Sequence, residues 1–333
     1  MELTFQLVVL VVGLVLLWKM GALCVRNALG FSAIYGIHQF SVGFFIFALS
    51  TGLPEISSAV VSSLNKVPQL SVGDLIGSAL VNISLILGLI IMISKTIEVS
   101  PHLKNKLLKA LGLIFLLLSA FLFLKSGGLW LGVVLIALYL GSIYWFQAGL
   151  PKTETAAEIK TIEKKTEKIE KKPIITPKVD ILAKLLGSLG LLLLSSWITV
   201  HAAAKLAALM QVQLALLGGT IVAVGTSFPE LVLSIHAIRR KEYALALGDL
   251  FGASLLNISL TLGFLIIMNP GLSLGYAWKV TPFVGAILIW VAQAFARKKS
   301  FNLKDGLFFL SVFFCYFGWS LFTYTQTTSK IGF

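Results

Sequence analysis

Charge is what this sequence has least of. Only 12% of its 333 residues are Asp, Glu, Lys or Arg, about half the share a soluble domain carries. Cysteine is nearly absent: Cys24 and Cys315 both sit in apolar runs. That excludes a disulfide framework and a metal–thiolate site. Four histidines (His38, His102, His201 and His236) show no ligand spacing and read as interface residues. The first residues, Met1-Glu2-Leu3-Thr4, lack a positive segment, so the opening apolar run reads as a retained helix, not a cleaved leader.

Long apolar runs fill most of the rest. The chain is 57% hydrophobic, with mean hydropathy +0.94. Runs of about 18–25 apolar residues read as transmembrane helices. Ten are expected, at 4–25, 40–64, 70–93, 106–124, 128–147, 180–204, 213–238, 243–268, 279–296 and 305–325. Residues 151–178 carry eight lysines and five glutamates, too polar for a bilayer. This charged linker divides the chain into a five-span half (1–150) and a second (179–333). The net charge of +13 needs no nucleic-acid partner. With the N-terminus outside, the inner loops receive Arg26, Lys95, Lys104, Lys106, Lys109, the linker lysines, Arg239, Arg240, Lys241, Arg297, Lys298, Lys299 and Lys304. The outer side receives Lys66, Lys125, Lys205, Lys279 and Lys330. That is the positive-inside bias. It predicts a multi-pass cell-membrane protein with both termini outside and the linker cytoplasmic, in contact with no partner beyond the lipid bilayer.

An internal repeat organises the chain. Residues 43–88 align without a gap on 218–263, at an offset of 175. Ala48, Thr51, Pro54 and Glu55 match Ala223, Thr226, Pro229 and Glu230. Gly73-Asp74-Leu75 and Gly77 match Gly248-Asp249-Leu250 and Gly252, and Asn82-Ile83-Ser84-Leu85 matches Asn257-Ile258-Ser259-Leu260. Matched Pro, Glu, Asp and Asn are informative because polar residues are rare in membrane helices. An odd number of spans per copy makes the second copy enter from the opposite side. The expected fold is therefore all-α, ten helices in two inverted-topology repeats, with a site between the copies at mid-bilayer.

The clear acids inside the expected spans are Glu55, Asp74, Glu230 and Asp249. Each costs about 2.5–3.5 kcal/mol near a helix centre, and the four on the order of 10 kcal/mol. No Lys or Arg lies near mid-span in the second, third, seventh or eighth helix, so a mobile cation or proton is the remaining partner. Pro54 and Pro229 free backbone carbonyls near Thr51 and Thr226, which is tolerated where they line a cavity. Thr51 and Glu55, like Thr226 and Glu230, are four apart and are expected to share a helix face. Asp74, Ser78 and Asn82 form one polar stripe. Calcium takes about six to eight oxygens. Glu55, Glu230, Thr51, Thr226, Ser78, Ser227, Asn82 and Asn257 and the freed carbonyls can supply them. The alternatives are ordinary ones: interhelical hydrogen bonds for the asparagines, back-bonding for the hydroxyls, and helix capping or control of ion entry for Asp74 and Asp249.

The stretches Ser50-Thr51-Gly52-Leu53-Pro54-Glu55 and Gly225-Thr226-Ser227-Phe228-Pro229-Glu230 resemble the paired G-T-S-x-P-E signatures of the sodium/calcium exchanger family, prokaryotic type, within the calcium/cation antiporter superfamily. Gly73-Asp74-Leu75-Ile76-Gly77-Ser78 and Gly248-Asp249-Leu250-Phe251-Gly252-Ala253 resemble its G-N-x-x-G-S elements. The resemblance implies a transporter, not an enzyme, without cofactors, that moves Ca2+ against Na+ as two helices slide past an eight-helix core. It implies cation coordination by Glu55 and Glu230, with carbonyl ligands at Ala48 and Ala223. The chain departs from the pattern at Ser50, Gly52, Asp74, Asp249, Ala253 and Asn257. Gly52 and Ala253 each remove a hydroxyl, which brings in the alternative of Ca2+/H+ exchange. A cation channel is disfavoured by the repeat. An intramembrane acid–base enzyme is disfavoured because no nucleophile, metal triad or His accompanies the glutamates.

Overall fold

The computed structural model describes residues 2–147, 178–209, 226–297 and 300–331. Nearly all of the linker, Ala223 and the start of the seventh expected span lie outside them. The described helices are α1 (Glu2–Tyr35), α2 (Gln39–Leu64), α3 (Pro68–Ser94), α4 (Pro101–Leu124), α5 (Leu129–Gln147), α6 (Lys178–Leu209), α7 (Phe228–Arg239), α8 (Tyr243–Met268), α9 (Ala277–Arg297) and α10 (Leu303–Ile331). Eight of these, all but α7 and α10, have the length and apolar composition to cross a membrane among the described residues. The protein is a mostly helical, multi-pass membrane protein.

Local chemistry sets the helix starts. Pro68 and Pro101 stand in first turns, where a missing N–H costs nothing. Ser100 caps α4 by accepting the Leu103 N–H at 3.3 Å. His38 Nδ1 caps α2, accepting the Phe40 N–H at 3.1 Å. Three helices outrun their expected spans: α1 reaches Tyr35, α6 Leu209 and α10 Ile331. A bilayer-length window ends where polarity returns, whereas packing continues past it. In α1 the Asn27 amide donates to the Lys184 carbonyl (3.0 Å) and to Ser188 Oγ (3.1 Å) of α6.

The described elements recur at the sequence offset of 175. Leu53–Leu64 maps onto Phe228–Arg239, and the wide π-turn Asn82–Ile86 of α3 maps onto Asn257–Thr261 of α8. Two short antiparallel strand pairs follow suit: β1 (Thr96–Glu98) with β4 (Ser300–Asn302), and β2 (Ser126–Gly127) with β3 (Leu272–Ser273). They mark opposite ends of the bundle. Lys95, Lys104, Arg297 and Lys304 flank the first pair, and Lys125 flanks the second.

α3 and α8 form the centre. Of their most apolar stretches 78% and 83% of residues are buried, against 28–39% for the other long spans. The two helices touch at equivalent positions, where Ser254 Oγ donates to the Ala79 carbonyl at 3.1 Å. α2 lies on α8 backbone to backbone. A Cβ on Gly248 would meet the Phe40 carbonyl at 2.5 Å, and one on Gly252 the Phe44 carbonyl at 2.3 Å. α1 and α6 pack along each other outside this core, and side chains such as Val8, Val11, Leu191 and Leu194 remain exposed on them, as lipid-facing residues do.

Candidate cation site

The centre of the molecule gathers the four acids. Glu55 and Glu230 are 1% exposed, Asp249 is fully buried and Asp74 is 8% exposed. The prolines position the glutamates. α2 is interrupted at Gly52, and a new segment starts at Leu53 with Pro54 in its first turn. Glu55 therefore sits at a helix N-terminus, facing the carbonyl end of the segment Ala48–Thr51. α7 starts the same way, with Pro229 and then Glu230 in its first turn. Such interruptions put backbone oxygens and a carboxylate side by side.

The threonines reach across the molecule. Thr226 lies in hydrogen-bond contact with the Glu55 carboxyl, and Thr51 with that of Glu230. A shared helix face for Thr51 and Glu55 does not by itself say which glutamate each threonine meets. Each threonine meets the other copy's glutamate. Thr51 is also placed to donate to the Phe47 carbonyl, at 3.0 Å. Glu55 lies within the electrostatic reach of Glu230 and Asp74, and Asp249 within that of Glu230. The segment carrying Glu55 packs on the π-turn that starts at Asn257, and α7 packs on the one that starts at Asn82.

Glu55 Oε2, Glu230 Oε2, Asn82 Oδ1, Asn257 Oδ1, Asp74 Oδ2 and both Asp249 carboxyl oxygens are buried without a hydrogen-bond donor, as are the hydroxyls of Ser227, Ser234 and Thr261. Buried polar atoms are nearly always paired. All of these are oxygens, seven of them acceptors only, and no Lys or Arg pairs with the four acids among the described residues. Such a set attracts a hard cation or protons. No three His, Cys, Asp or Glu side chains converge at ligand spacing among those residues; the unpaired oxygens on offer are carboxylate, amide and hydroxyl oxygens.

Two other expected donors stand differently. Ser78 Oγ is engaged with Asp74 Oδ1 at 3.3 Å. The Ala48 carbonyl accepts the Gly52 N–H at 3.0 Å, leaving one lone pair. Ser234 and Thr261 were not expected. Ser234 lies four residues beyond Glu230, a spacing that points to it, but Thr261 has no such signal. Nor does Tyr276, which reaches the Asp74 side and bonds Tyr316 hydroxyl to hydroxyl at 2.8 Å. Among the histidines, His236 Nε2 lies 2.9 Å from the Trp18 carbonyl, an interface role.

A side chain at position 52 would meet close neighbours. Gly52 has φ −77° and ψ −1°, a conformation open to any residue, so space alone is limiting. A Cβ there would stand 2.6 Å from Leu256 Cδ2 and 3.0 Å from the Ala48 carbonyl. At the offset of 175, the same two positions hold Ser227 and Val81. The pair is Gly with Leu on one side and Ser with Val on the other.

The family model for sodium/calcium exchanger proteins matches residues 5–147 and 181–322. The chain belongs to the sodium/calcium exchanger family. Its curated relatives include the putative antiporter CaxA of Alkalimonas amylolytica, 29% identical over 92% of this chain and 95% of that one. An uncharacterized membrane protein of Methanocaldococcus jannaschii, MJ0091, is 28% identical over 90% and 93%. The sodium/calcium exchanger MaX1 of Methanosarcina acetivorans is 24% identical over 80% and 84%. Among solved structures, the sodium-calcium exchanger NCX_Mj soaked with sodium and strontium superposes with a TM-score of 0.78, at 23% identity, over 95% of this chain and 98% of that one. The family is one of membrane cation exchangers and not of enzymes, and this protein is a multi-pass member of it.

Proposed function

We propose that this protein exchanges Ca2+ for Na+ by alternating access, with the cation bound between Glu55 and Glu230. The observation that carries the reading is the crosswise site: each glutamate is met by the other copy's threonine, and each keeps one buried oxygen without a donor. Two carboxylates balance one divalent ion or two monovalent ones. A site that must hold one or the other, and never stay charged and empty, couples the two fluxes.

Thr51, Thr226, Asn82, Asn257, Ser227, Ser78 and the carbonyls of Ala48 and Ala223 complete the proposed donor set. Asp74 and Asp249 flank it as steps of ion entry. The chain forms two halves, 1–150 and 179–333, joined by the linker 151–178, with ten spans in inverted topology. The offset of 175 and the contact between the equivalent residues Ala79 and Ser254 support this, as a two-fold axis passing near them would produce it. α1 and α6, the long peripheral pair, form the sliding gate. The clustering of basic residues around β1 and β4 supports an inner face there, which leaves both termini outside.

Proton coupling is the second reading. Leu256 over Gly52, and Ala253 in place of a serine, reduce the hydroxyls that sodium would use. Radioactive calcium flux in proteoliposomes, under separately imposed sodium and proton gradients, decides between the two. Calcium release driven by sodium at equal pH supports the first. Release that follows a pH gradient and ignores sodium replaces it with the second. No gradient-driven release at all overturns both.

A further inference from the structure

A second polar site lies far from the glutamates, where α9 ends and α10 begins. A cavity of about 250 Å³ opens there beside β4, lined by Trp290, Gln293, Arg297, Asn302, Lys304 and Asp305 among others. Its floor is fixed. Asp305 Oδ1 accepts the Trp290 Nε1–H at 2.9 Å, and Asp305 Oδ2 accepts the Asn302 N–H at 2.8 Å. Trp290 stacks on Phe308 at 4.0 Å between ring centroids, so its indole is held on one side by a ring and at its N–H by a carboxylate. Asp305 is thereby committed to neutral donors. Arg297 and Lys304 are exposed, and neither is paired with a carboxylate among the described residues. They give the cavity a positive mouth.

The fold does not require this chemistry. At the offset of 175, Trp290, Gln293, Arg297, Lys304 and Asp305 correspond to Phe115, Leu118, Leu122, Leu129 and Trp130. In the same corner of the other half only Lys125, at the position of Ser300, is charged, so the pair of cations with a carboxylate and a tryptophan is particular to one corner. On the same two helices Ile289, Leu307 and Phe314 are 61%, 56% and 62% exposed, apolar side chains on the elements that carry the basic mouth. A fixed tryptophan about two turns before the end of a membrane span, two cations with no carboxylate partner among the described residues, and exposed apolar side chains on the same helices match an amphiphile with an anionic head.

We infer that this cavity binds the headgroup of an anionic phospholipid, with Arg297 and Lys304 on the phosphate and the acyl chains along Ile289 and Leu307. The inference is independent of which ions the central site exchanges. Native mass spectrometry of the purified full-length protein tests it, with phosphatidylglycerol and phosphatidylcholine added separately. Phosphatidylglycerol should bind and phosphatidylcholine bind far less. Neutralising a basic residue near a phosphate weakens attraction about fivefold, so Arg297→Gln with Lys304→Gln should cost about 25-fold. Lys95→Gln removes an exposed charge at the same end of the bundle, outside the cavity, and should change little. An unchanged phosphatidylglycerol affinity in the double variant overturns the site. An equal loss in Lys95→Gln overturns it in favour of the general charge of that face. Displacement of the lipid by millimolar inorganic phosphate, itself bound as tightly, overturns the lipid assignment in favour of a free anion.

Discussion

Replacing Gly52 by Ser tests whether packing, and not backbone conformation, removed that hydroxyl. The new Cβ would sit 2.6 Å from Leu256 Cδ2, about 0.8 Å inside an ordinary carbon–carbon contact. Leu256 is fully buried and can yield only by displacing its neighbours. Overpacking of this kind costs about 1–3 kcal/mol. Leu256→Val alone removes one buried methylene and costs about 0.5–1.5 kcal/mol. Together the two changes reproduce the Ser227 and Val81 arrangement found at the equivalent positions, so the double variant should be no less stable than Leu256→Val alone. The coupling in this cycle should be favourable and about as large as the Gly52→Ser cost, about 1–3 kcal/mol. The assay is thermal unfolding of the purified protein in detergent, wild type and three variants side by side. A Gly52→Ser protein as stable as wild type, or costs that simply add, would refute the packing argument. Sodium dependence of calcium flux in the double variant then reports whether the restored hydroxyl serves a cation.

Glu55→Gln and Glu230→Gln should each abolish calcium exchange in proteoliposomes while the protein elutes as a folded species; retained flux in either would remove the central assignment. Thr226→Val removes the hydroxyl at Glu55 and Thr51→Val the one at Glu230, so both should weaken the apparent calcium affinity by similar factors, roughly tenfold for a bond to a charged group; the check is the calcium concentration dependence of flux. His38, in the turn before α2, is pushed down to about 4, first by burial and then by Lys106. Its neutral form caps α2, so the stability it contributes is present above pH about 6.5 and is lost as pH falls toward 4. The full loss is about 3 kcal/mol. His38→Asn, which keeps an acceptor for the cap, should flatten the unfolding temperature between pH 6.5 and 4; an unchanged slope would show that another group titrates.

Eight of the ten expected spans reappear as helices long and apolar enough to cross a membrane among the described residues; the span at 305–325 falls within the helix Leu303–Ile331, and that at 213–238 is described only from residue 226 onward. Hydropathy locates them because a lipid-crossing helix must bury every backbone group and present apolar side chains. Their ends were less legible. Tyr35 and Leu209 lie beyond a bilayer-length window because packing between α1 and α6 sustains the helices there. Linear periodicity also could not anticipate the π-turns at Asn82 and Asn257. They add a residue to a turn in the helices that pack at the centre of the molecule.

The candidate site divides the same way. The sequence alone determined which residues are costly in a membrane and that they come in two copies, because an uncompensated acid in lipid is expensive and repetition at one offset is visible without coordinates. It determined nothing about which threonine serves which glutamate. That follows from the packing of the segment carrying Glu55 and of α7 each on the other copy's π-turn. Contacts between residues so far apart in the chain carry no local signature, so the tertiary structure alone pairs Thr51 with Glu230 and sets Leu256 over Gly52.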